Sequence, residues 1–191
     1  MSGYLRRLAT TGAAYTAASI LSKLIAVALL PLYTRYLTTD DYGYAEVMFA
    51  AIVSASIVVR LGVIEALLRF YYQDDEQPDR VVSSSFATLF WVSTAAALLA
   101  LPFAGPLSEA LLDPSATDST RISPSAAADL ARIAIGGLWV LTMFEFLLTL
   151  FRLEERARAF FVTTIASVLA TIAVTVVLVV GAGEGARGLL L

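Results

Sequence analysis

Val81 to Leu107 reads VVSSSFATLFWVSTAAALLALPFAGPL, an unbroken run without a single charged side chain. The hydrocarbon core of a bilayer is about 30 Å thick, and a helix rising 1.5 Å per residue crosses it with about 20 apolar residues. Val81–Leu107 is long enough to do so. It exceeds the length of ordinary buried strands and core helices. Its Val and Phe favour strands in water. In lipid, however, the backbone must satisfy its own polar groups, and a helix does that locally.

Four similar runs flank this one. Ala159 to Gly183 is also free of charge, and Ile133 to Phe151 carries only Glu145. Tyr44 to Leu68 holds Glu46, Arg60 and Glu65, and Gly12 to Leu37 is interrupted by Lys23, Pro31 and Arg35. The connections are polar. Thr38 to Gly43 (TTDDYG) is a tight turn whose aspartates can cap the following helix. Gln73 to Arg80 (QDDEQPDR) is a hydrophilic loop, Ser108 to Arg132 is the longest connection, and Arg152 to Arg158 (RLEERAR) is a compact charged link. The expected fold is therefore all-α, a polytopic transmembrane bundle of about five complete helices. Leu189-Leu190-Leu191 opens a further apolar run, the expected start of a sixth helix.

Composition agrees. Of 191 residues, 59% are hydrophobic and 15% charged, against averages of about 45–50% and about 25% in globular domains. A net charge of -3 argues against a nucleic-acid partner, which calls for a basic face. Cysteine and histidine are both absent, which excludes disulfides, thiolate metal sites and imidazole proton shuttles. Any coupling to ions or protons must run through carboxylates. No GxGxxG or GxxxxGK[ST] motif and no hydrolytic cluster is present, so neither an enzyme activity nor a cofactor is expected. Arg6 and Arg7 resemble the start of a signal peptide, but the apolar run that follows is too long and contains Lys23. Counting Lys and Arg in the flanks places seven inside and four outside when the N-terminus is cytoplasmic, the favoured orientation.

Ionisable groups within the hydrocarbon are costly and raise a functional hypothesis by default. Lys23, Arg60, Glu65 and Glu145 qualify. Helix rise puts Lys23 roughly 16 Å, Arg60 roughly 12 Å and Glu145 roughly 9 Å from the cytoplasmic side. Helical spacing sets Ser19, Thr16, Tyr15 and Gly12 beside Lys23, Ser56 beside Arg60, and Thr142 and Thr149 beside Glu145. Three polar stripes are expected around one hydrated space. Glu65 and Arg69, spaced i,i+4 near a helix end, also read as an interfacial couple. Glu145 reads either as a coupling carboxylate or as a static counter-charge to Lys23 or Arg60. Two cations facing one carboxylate leave positive charge over, which attracts an anion in a low-dielectric cavity. Trp91 and Trp139 read as lipid or packing contacts.

Ser22-Lys23-Leu24 and the stretch Pro31 to Tyr44 (PLYTRYLTTDDYGY) resemble the first hairpin of the polysaccharide-exporter branch of the MOP superfamily. Leu61 to Phe70 (LGVIEALLRF) is similar to that branch's second-helix ending, and Phe151 to Ala157 (FRLEERA) to its link between helices four and five. The resemblance implies a flippase of the bacterial plasma membrane that moves undecaprenyl-pyrophosphate-linked oligosaccharide between leaflets for cell-surface polysaccharide. It implies about 12 to 14 helices in two bundles, of which this chain is the N-terminal one, and alternating access around a cationic cavity. Lys23 and Arg60 become candidate pyrophosphate contacts, and Glu145 and Glu65 candidates for H+ or Na+ coupling or charge balance. The implied partners are the lipid-linked oligosaccharide, the bilayer, and the polymerase and glycosyltransferases of the same pathway. The alternatives are a multidrug or toxin cation exporter of the sister branch, whose cavity should be dominated by carboxylates, and a non-transporting membrane scaffold.

Overall fold

The computed structural model describes residues 39–60, 62–73, 78–111 and 123–177, with isolated positions between 12 and 35. Among the described residues every regular element is helical. In chain order these are α1 (Thr39–Arg60), α2 (Val63–Tyr71), α3 (Pro78–Ala100), a 3-10 turn (Leu101–Phe103), α4 (Ala104–Leu111), α5 (Pro124–Leu153) and α6 (Ala157–Thr175). Among the described residues, four stretches are long and apolar enough to span a bilayer: Tyr42–Arg60, Pro78–Leu111, Ser125–Leu153 and Ala157–Thr175. The first expected span and the chain beyond Val177 lie largely outside the described residues. Where that first span is described, as at Gly12, Thr16, Lys23 and Arg35, the backbone is helical.

The structure redraws several boundaries. α1 begins at Thr39, so the expected turn over residues 39–43 is already helical. The span expected to run unbroken through Leu68 instead divides: Gly62 has φ 72°, in the left-handed region, and α2 restarts behind it with Ala66 N–H donating to the Gly62 carbonyl at 2.9 Å. Glycine suits this position because it carries no Cβ penalty there. The third span is interrupted at Leu101-Pro102-Phe103, where proline removes a donor and tightens the turn.

The fourth span starts at Pro124, well before the expected Ile133. Ser123 caps it, its hydroxyl accepting from Ala126 N–H at 3.3 Å, and proline follows at the position where a missing N–H costs nothing. Asp129 and Arg132, read as loop residues, instead form a 2.7 Å ion pair one turn apart on this helix.

α5 is the hub. It packs against α1, α2, α3, α4 and α6. Two apolar clusters lie along it. One joins Met48 and Ile52 of α1, Ala104 of α4, and Ala131, Ala134, Ile135 and Leu138 of α5. The other joins Leu67 of α2, Leu89 of α3, and Phe146 and Leu153 of α5. Small residues in the first cluster let the backbones approach closely, as membrane interfaces commonly require. Outward faces stay apolar: Val58, Trp91, Leu98, Leu99, Val162 and Leu169 are all exposed. In water such a surface would aggregate; facing lipid tails it is matched.

Candidate functional site: an arginine–glutamate pair between two spans

Between its two apolar clusters α5 carries Trp139, Thr142 and Glu145. Opposite them α1 ends on Ser56 and Arg60, and α3 presents Ser93 and Thr94. These polar groups follow one another along α5, and Glu145 stands level with the break in the second span.

Helix direction explains which residues meet. α1 and α5 run parallel. Ile52 Cδ1 lies 3.5 Å from where a Cβ on Gly137 would stand, and eight residues further along each helix Arg60 Nη1 meets Glu145 Oε2 at 2.8 Å. α3 runs against them, so Trp139 reaches Thr94, donating from Nε1 to Oγ1 at 3.0 Å. On the same pair of helices Phe146 packs on Phe86, with ring centroids 5.6 Å apart. Two consistent registers therefore set these contacts.

Arg60 is held from two sides. Its Nε donates to the Ser56 carbonyl at 3.0 Å, and its Nη2 stands at a longer 3.5 Å from Ser56 Oγ. This steers the guanidinium back along its own helix and across to Glu145. The ion pair remains partly open, with the arginine side chain 24% and the glutamate 33% exposed. Glu145 Oε2 is itself buried and makes no aligned hydrogen bond, so its short contact with Arg60 is electrostatic and off-axis. Of the two cations expected to compete for Glu145, the structure joins it to Arg60. Lys23 is exposed and has no ion-pair partner among the described residues.

The stripes beside Arg60 and Glu145 are closed, not open. Ser56, Thr142 and Thr149 are buried, and their hydroxyls donate to the carbonyls of Val53, Leu138 and Glu145 at 2.7–2.8 Å. A hydroxyl bonded back to its own helix needs no water, which is how Ser and Thr settle in apolar surroundings. The expectation of a hydrated space is therefore corrected for the stripes beside Arg60 and Glu145; of the stripe beside Lys23, Gly12 and Thr16 are exposed, and Tyr15 and Ser19 lie outside the described residues. What stays accessible is the Arg60–Glu145 pair.

Glu65 is exposed in the first turn of α2, with its Oε2 4.0 Å from where a Gly62 Cβ would stand. There its charge complements the partial positive charge of the helix N-terminus. No ion pair joins it to Arg69 among the described residues, so the expected i,i+4 couple is not formed. The Trp139–Thr94 bond went unread in the sequence. A half-buried indole N–H asks for an acceptor, yet only the packing of α3 on α5 selects Thr94.

Neither a curated protein nor a solved structure shows significant similarity to the chain. A family model does match, described as polysaccharide biosynthesis protein and covering residues 8–189. The match takes in every element described above, including both partners of the ion pair. With its spanning helices, this multi-pass membrane protein belongs to the polysaccharide biosynthesis protein family.

Proposed function

We propose that the protein is a transporter, not an enzyme, and flips a lipid-linked oligosaccharide across the bacterial plasma membrane for cell-surface polysaccharide synthesis. The lipid carries its sugar on an undecaprenyl pyrophosphate, and the N-terminus of the protein lies in the cytoplasm. The observation that carries the reading is an Arg–Glu pair left partly exposed between spanning helices of a polysaccharide biosynthesis family member. A structural charge in lipid is normally sealed or snorkelled; one kept accessible suits an ionic cargo.

In this reading the chain is one bundle of a two-bundle carrier, and Lys23 and Arg60 contact the pyrophosphate. Arginine's planar fork matches phosphate oxygens, while lysine serves as a point charge. Glu145 balances Arg60 between cargoes, and Glu65 assists in coupling to H+ or Na+. The test uses the full-length gene in its host. Deletion should abolish surface polysaccharide and leave lipid-linked oligosaccharide on the cytoplasmic side. The K23A/R60A double variant, expressed at normal level, should reproduce the loss. Wild-type polysaccharide in that variant would sink the phosphate contacts. A drug-susceptibility change with polysaccharide intact would point to the cation-exporter alternative.

A further inference from the structure

Arginine keeps its charge at any attainable pH, and in a low-dielectric layer it needs a counter-ion at all times. When no anionic cargo is present, only Glu145 supplies one to Arg60 among the described residues. Three features make that contact exchangeable. Both side chains are partly exposed although Oε2 itself is buried, so another anion can approach the guanidinium beside the carboxylate. Oε2 approaches Nη1 to 2.8 Å without an aligned hydrogen bond, so the contact lacks the directional hold of a bidentate guanidinium–carboxylate fork. Meanwhile Nε stays bonded to the Ser56 carbonyl of its own helix, which keeps the guanidinium in place whichever anion it faces.

We propose that Glu145 is a built-in competitor for Arg60. Its carboxylate occupies the place of an anionic diphosphate headgroup, and the headgroup binds by displacing it. The inference rests on reading Arg60 as a headgroup contact, and it adds that resting affinity is held down by an internal anion. Arg60 passes from one oxyanion to another without ever standing bare in the apolar layer. A headgroup lacking enough negative charge cannot make the exchange, so the pair also filters its cargo.

Binding of farnesyl diphosphate to the full-length protein in nanodiscs, followed by titration calorimetry, tests this. E145Q removes the competing charge and should bind the probe about tenfold tighter than wild type. E145D keeps the charge on a side chain one methylene shorter and should fall between the two. R60Q should bind at least tenfold more weakly, and R60Q/E145Q should behave like R60Q, because Glu145 acts only through Arg60. Equal or weaker binding by E145Q would overturn the competition while leaving the headgroup reading intact. Should E145Q fail to fold, E145D decides on the same criterion. A wild-type protein that does not bind the probe overturns the headgroup reading itself, and the competition with it.

Discussion

Arg60 terminates α1 and meets Glu145 at 2.8 Å, and how much that contact stabilises depends on its surroundings. Exposed pairs contribute about 0–1 kcal/mol, whereas removing one partner of a fully buried pair costs about 3–5 kcal/mol. With 24% and 33% of the two side chains exposed, R60M alone should destabilise by about 2 kcal/mol, between those limits. Most of that loss is the carboxylate left without its cation. R60M/E145L removes both charges and should recover at least half of it. Equilibrium unfolding in mixed micelles, run as a double-mutant cycle, reads the coupling directly, and additive losses would rule the pair out as an energetic unit. The sequence offered Glu145 either as a coupling carboxylate or as a counter-charge to Lys23 or Arg60. Whether it meets Lys23 or Arg60 was not legible, because that depends on the parallel register of α1 and α5, which arises only when the helices pack.

At the level of elements, the link between α5 and α6 shows how a charged stretch can be ordered. Arg156 N–H donates to the Phe151 carbonyl at 2.8 Å and Glu155 N–H to the Arg152 carbonyl at 3.2 Å, the paired bonds of a Schellman cap. Glu155 occupies the left-handed position of that cap at φ 53°, the place glycine usually takes. A side chain there costs about 1 kcal/mol relative to glycine. E155G should therefore raise stability by about 1 kcal/mol, seen as a higher unfolding midpoint in micelles, and a lower midpoint would show that the glutamate side chain matters more than the backbone. Hydropathy revealed the spans because lipid selects for apolarity and little else. It was blind to the Gly62 break, which depends on a dihedral angle inside a continuous apolar run. It also placed the start of α5 too late: Asp129 and Arg132 looked like loop residues, although Ser123-Pro124 carried the signal of a helix start.

For the molecule as a whole, the two tryptophans report on opposite surroundings. Trp91 is 69% exposed on the outer face of α3, whereas Trp139 turns inward and bonds Thr94 at 3.0 Å. In bilayers of dibrominated lipid, W139F (retaining Trp91) should lose most of its fluorescence and W91F (retaining Trp139) should lose far less. Equal quenching would mean that α3 is rotated from the orientation described. The register between α1 and α5 also bears on how the protein is made. Glu145 follows Arg60 by 85 residues, so at about 5–20 residues per second the ribosome needs roughly 4–17 s to deliver the anion after the cation. During that interval Arg60 enters the translocon and membrane without its partner, where an arginine at mid-helix would cost about 2.5–3.5 kcal/mol. Arg60 is the final residue of α1, two residues before the left-handed Gly62, so it enters at a helix end and not in the middle of a continuous helix. The break in the second span thus bears on the order of assembly as well as on the finished bundle.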